Sequence, residues 1–251
     1  MERIPTGRII EKLEAYYAKN DVESALSHLL YWLGEAKALG DRLGEYQMHN
    51  ELMGHYRKNG KKEEAIEHAK AALDLLEPLG ISDSVSGGIA RINAATVYKA
   101  FGMPEESIAL FWEAERILTR FLPPDDPRLG GLYNNMGLTL CDLSRLEEAK
   151  NCYTRALEIM QKQATGKPEV AITYLNLANL VEKKDGLEAG EEEISALLDL
   201  AWENLMVKEN TRDGYFAFVC EKCAPTFGYY GRFFDEAELK RIAGEIYGKG
   251  T

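Results

Sequence analysis

No stretch of this 251-residue chain comes near the roughly eighteen consecutive apolar residues that a membrane-spanning helix requires. Met1 to Gly7 carries no apolar run behind Arg3, which is not the pattern of a secretory leader, so a cytoplasmic protein with no membrane partner is expected. Cysteine is scarce as well. Cys141, Cys152, Cys220 and Cys223 are too few for a disulfide framework in a chain of this length, and reduced thiols follow. Basic residues are outnumbered, 30 Lys and Arg against 41 Asp and Glu, and they are spread among the acids. The resulting net charge of −11 argues against a nucleic-acid face and favours a basic or neutral partner. Catalytic constellations are missing too: no Ser-His-Asp set, phosphate loop or metal-binding histidine pair can be assembled, so no catalytic residue and no cofactor are expected. Cys220 and Cys223 form a C-x-x-C, but half a zinc site without further ligands reads better as two small apolar side chains at helical spacing. No metal is expected.

What the chain does have is a repeated pattern, clearest from Pro127 to Met160. Leu129, Leu132, Tyr133, Met136, Gly137 and Leu140 form one stripe at steps of three and four that only a helix aligns. Leu146, Ala149, Tyr153, Ala156, Leu157 and Met160 form a second, and Cys141 to Arg145 leaves room for a tight turn alone. The reading is a helical hairpin in which Gly137, Ala149 and Ala156 permit close approach and Tyr133 and Tyr153 fill the space beside them. Sliding it back by 42 residues takes Ala149 to Ser107, Tyr153 to Phe111 and Asn135 to Asn93. A further 42 takes Ala114 to Ala72, and a step forward of 41 takes Tyr133 to Tyr174 and Asn135 to Asn176. A fixed period of this size is the mark of a solenoid whose hairpins bury their apolar faces only against neighbours. Asn20, Gly60, Gly102, Ser144 and Asp185-Gly186 recur where a left-handed residue ends each first helix. Asp126 is placed to cap the helix that Pro127 opens.

These hairpins resemble tetratricopeptide repeats, which carry a small residue midway along helix A, Tyr near its end, and Ala-x-x-x-aromatic-x-x-Ala along helix B. The step near 42, with Pro-x-x-x-x-x-Tyr-x-Asn at Pro127 and Pro168, is similar to the longer repeats of kinesin light chains. The whole chain also resembles bacterial tetratricopeptide proteins. The expected fold is therefore all-α, a right-handed solenoid forming a single domain. Its repeats run at about 6–45, 46–87, 88–129, 130–170 and 171–207, followed by a degenerate C-terminal hairpin over 212–248. Within that last part, Leu187 to Glu193 reads as an acidic insertion that makes the fifth helix B start late, and Pro225 as a residue that kinks or ends its helix. The aromatic density from Tyr215 to Phe234 reads first as a cap sealing the solenoid, and second as a partner-facing patch.

Asn is a poor helix-interior residue, and propensity gives no reason for Asn93, Asn135 and Asn176 to recur. In the family an Asn at this place on helix A holds a bound peptide's backbone, and the resemblance carries that role to these three. Around them the expected groove lining includes Asn50, Arg57, Lys99, Asn134 and Asn179, with Glu11 and Glu51 standing in the Asn position of the first two repeats. The expected function is a non-catalytic scaffold or adaptor that holds a protein or peptide segment in a concave groove. The alternative is a structural protein forming homo-oligomers through its aromatic C-terminal hairpin.

Overall fold

The computed structural model describes residues 3–248, which contain twelve α-helices and no strand. Their contacts divide the chain into two compact units, residues 1–122 and 123–251, each built of three hairpins. The first unit pairs α1 (Thr6–Ala18) with α2 (Val22–Leu39), α3 (Arg42–Lys58) with α4 (Lys62–Asp74), and α5 (Val85–Ala100) with α6 (Pro104–Phe121). The second pairs α7 (Pro127–Asp142) with α8 (Leu146–Met160), α9 (Lys167–Asp185) with α10 (Leu187–Leu205), and α11 (Gly214–Tyr229) with α12 (Phe233–Ile246). In each unit the first helices of successive hairpins also touch, α3 on α5 and α7 on α9 on α11.

One turn closes five of the six hairpins. Asn20, Gly60, Gly102, Ser144 and Gly231 hold φ between 55° and 78°, and the N–H of the residue after each donates back to a carbonyl of the finished helix. The pairs are Asp21 to Tyr16, Lys61 to Tyr56, Met103 to Tyr98, Arg145 to Leu140 and Arg232 to Phe227, at 2.8 to 3.0 Å. This satisfies an orphan carbonyl and reverses the chain within two residues. Asp126 caps α7 as expected, its carboxylate accepting from the Arg128 N–H at 3.0 Å.

The fifth hairpin departs from the pattern, and from expectation. Helix α10 does not start late: it begins at Leu187, directly after Gly186, and takes the acidic stretch into its first turns. Gly186, at φ 83° and ψ 167°, ends α9 through its N–H to Glu182 and opens α10 through its carbonyl to the Gly190 N–H. Only glycine reaches that conformation without strain. Acids suit the positive end of the new helix. Gly190 then lets α10 close on α9, because a Cβ there would stand 2.8 Å from Val181 Cγ1. Pro225 likewise does not end its helix, since α11 runs on to Tyr229. Both Pro225 and Glu221, the residue whose carbonyl loses its partner, are exposed, so water can serve the freed oxygen.

The cores are made by the small residues that the repeat keeps. Ala149, Ala156 and Tyr153 have no exposed surface, and a Cβ on Gly137 would lie 2.4 Å from the Tyr153 ring. In the C-terminal hairpin Phe216 and Phe227 are buried, Phe227 edge-on to Trp202 with ring centroids 5.8 Å apart, while Phe233 and Phe234 are exposed.

Candidate functional site

In the first unit the expected residues lie on α3 and α5. Asn93 is exposed, and its amide donates to Asn50 Oδ1 at 3.4 Å. Asn50 in turn donates to the Tyr46 carbonyl of its own helix at 3.0 Å. The two side chains thus form a pair bridging neighbouring first helices, with the Asn93 amide open to solvent on one side. Arg57 and Lys99 are half-buried on the same two helices. Burial lowers the Arg57 guanidinium's affinity for its proton, and burial raises the Glu51 carboxyl, which Lys58 opposes and Glu14 reinforces.

In the second unit the asparagines divide into different roles. Asn135 is half-buried and donates to the Gly131 carbonyl one turn back, at 3.0 Å. Asn176 is half-buried, and its Nδ2 is shielded and meets no acceptor among the described residues. Asn134, expected in the open lining, is instead 9% exposed and wedged between α7 and α9. Its amide donates to Thr173 Oγ1 at 2.8 Å, and that hydroxyl donates to the Glu169 carbonyl. A residue one position from Asn135 on a helix points about 100° away from it, and here that rotation separates a surface amide from one that joins two hairpins. Asn179 is exposed, and its Oδ1 lies 3.0 Å from the Tyr230 hydroxyl.

The cluster to which Tyr230 belongs leaves no mark in the sequence. The Glu182 carboxylate accepts from Tyr229 through one oxygen and from Tyr230, at 2.7 Å, through the other. The three residues are separated by 47 and 48 positions in the chain, so no local pattern could announce them. Burial, followed by the bond to Glu182, holds the Tyr230 hydroxyl well above the usual phenol range.

Cys220 and Cys223 are both buried in α11, and burial pushes their thiols up to about 11 and about 12. They are therefore protonated and weakly reactive at neutral pH. Among the described residues no three His, Cys, Asp or Glu side chains gather as metal ligands, and no helix is long and apolar enough to cross a membrane.

Residues 129–189 match the tetratricopeptide repeat family model. No curated protein gives a significant match. Among solved structures the chain is similar to BtubC (BKLC) from P. vanneervenii, with TM-score 0.69 and 19% identity over 82% of this chain and 83% of that one. It is also similar to nearly identical TPR-like repeats assigned to a kinesin light chain of Podosopora anserina, with TM-score 0.57, 17% identity and coverage of 82% and 96%. The apo form of RapI matches at TM-score 0.60 and 13% identity over 98% of both chains. These likenesses establish the fold, an all-α array of tetratricopeptide-like hairpins.

Proposed function

We propose that the chain is a non-catalytic scaffold that holds an extended segment of a partner protein against the faces of its first helices. The observation that carries this reading is the exposed Asn93 amide on the interior of α5, at the repeat position that Asn135 and Asn176 also occupy. A side-chain amide both donates and accepts, so it can pair with a partner's peptide groups without demanding a particular sequence. The excess of carboxylates supports a basic or neutral segment.

The test begins with affinity capture from the native cell, followed by titration of the captured partner's segment. Asn93→Ala and Asn176→Ala together should weaken binding by about five- to a hundredfold, at roughly 0.5 to 1.5 kcal/mol for each lost bond. Both variants should melt with the parent, and Asn151→Ala, at an exposed position on α8, should bind as the parent does. Asn134→Ala should behave oppositely, lowering stability by about 1 kcal/mol because it severs the α7–α9 bond. Parent-like affinity in the Asn93 and Asn176 double variant would rule the groove reading out.

A further inference from the structure

Beside the Tyr pair the second unit contains a cavity of about 470 Å³, between the start of α10 and the turn that joins α11 to α12. Its floor is apolar, formed by Ile194 and Leu198, which are buried, with Leu187 half exposed at its edge. Tyr229 and Tyr230 stand over it nearly at right angles, with ring centroids 5.0 Å apart and planes 77° apart. Tyr229 is 64% exposed, yet its hydroxyl is tied, with that of Tyr230, to the single Glu182 carboxylate. Such tethering fixes two aromatic faces before any ligand arrives, and donation to a carboxylate leaves the rings richer in electron density.

The charges around the cavity are one-sided. Glu188 and Glu191 line it, both are exposed, and neither takes part in an ion pair among the described residues. Arg232 is the cation among the lining residues, and it is already consumed: its Nη1 donates to Asp199 and its Nε to Asp235, each at 2.7 Å. What remains is an apolar slot with two rigid phenol faces and two unneutralised carboxylates.

We propose that this cavity receives an arginine side chain of the partner. A guanidinium stacks on aromatic faces, where an ammonium binds as a point charge, and its planar fork matches paired carboxylates. Its methylene stem suits the Leu187, Ile194 and Leu198 floor. The site adjoins the proposed groove, because Asn179 on α9 contacts the Tyr230 hydroxyl. It rests on the scaffold reading only in taking the arginine from a partner.

The test needs no partner. Titrating the full chain with N-acetylarginine amide, and observing the tyrosine ring resonances, should give saturable shifts at Tyr229 and Tyr230 that weaken with added salt. N-acetylcitrulline amide, of the same shape but neutral, should bind at least tenfold more weakly, and N-acetyllysine amide, whose acetyl blocks the α-amine and leaves the ε-ammonium free, should fall between them. Glu188→Gln with Glu191→Gln, and separately Tyr229→Ala, should each reduce arginine affinity by about tenfold while leaving the melting temperature in place, since all three side chains are exposed. Equal binding of citrulline, unaltered affinity in the glutamine pair, or no ring shift at saturating probe would each overturn the proposal. Asn93→Ala and Asn176→Ala should not affect this probe, so failure here and failure of the groove are separately visible.

Discussion

Gly137→Leu should lower the melting temperature by roughly 6 to 12 °C, corresponding to about 3 kcal/mol. A Cβ at Gly137 would stand 2.4 Å from Tyr153 Cε1 and 2.7 Å from Cδ1 and Cζ, inside any tolerable contact. The Tyr153 ring cannot yield. It has no exposed surface, its hydroxyl lies 3.7 Å from Cys141 Sγ, and Ala149 and Ala156 on its own helix are equally enclosed. Leucine also adds three further carbons to a region with no space for the first. The control lies on the same helix: at Gly131 an added Cβ meets nothing within 4 Å. Gly131→Ala should therefore raise stability by about 0.5 to 1 kcal/mol, because it removes backbone freedom from the unfolded chain without a clash. Thermal melts of the two variants check both signs. If Gly137→Leu melts with the parent, the close helix approach in the α7–α8 hairpin is wrong.

Mild acid should weaken the first unit through a pair of buried histidines. His49 on α3 and His68 on α4 are 5% and 8% exposed, and their Nδ1 atoms are 2.7 Å apart. At that distance one nitrogen must carry the proton and the other accept it, so the two rings cannot both be charged. The Tyr56 ring stacks on His68 at 5.4 Å, closing the site further. Burial, then His68, then Lys37 push the His49 pKa down to about 4, and burial lowers His68, with Glu67 and Glu64 opposing and Lys37 reinforcing. Glu45 lies 3.8 Å from His49 Nε2 and would favour a charged ring, but burial outweighs it.

The sign of the pH effect follows from these shifts. Between about pH 6.5 and 4 the unfolded chain binds protons that the folded chain refuses, so stability is complete above that window and falls as pH drops through it. His49 alone should contribute a loss of about 2 kcal/mol between pH 7 and pH 5, before most carboxylates titrate. Urea unfolding of the full chain at those two pH values, followed by the first unit's signals, measures it. His49→Phe should flatten the dependence, and a slope unchanged in that variant would assign the acid sensitivity elsewhere. His55, whose pKa is also lowered by burial and which bonds the Tyr17 hydroxyl at 3.0 Å, adds a smaller contribution of the same sign.

How much of this was readable in the chain depends on the range of the force concerned. The left-handed turns at Asn20, Gly60, Gly102 and Ser144 were legible because each is demanded by its own backbone and by a carbonyl a few residues away. So were the hairpins, since a stripe of apolar and small residues at steps of three and four has meaning only as a helix face. The same reasoning misread Leu187 to Glu193 and Pro225, where local preference is outweighed by what the neighbouring helix offers: a Val181 against which Gly190 can close, and an exposed surface on which a freed carbonyl is harmless. It also could not tell Asn134 from Asn135. Both are amides on α7, and only the presence of Thr173 across the interface, 39 positions away, makes one of them a tie between hairpins. Helix identity and turn position were determined by the sequence itself, because they are settled among residues within one turn of each other. Which amide is buried, which tyrosines share a carboxylate and which histidines must stay neutral were decided by packing, because those energies exist only once separate helices have removed the same groups from water.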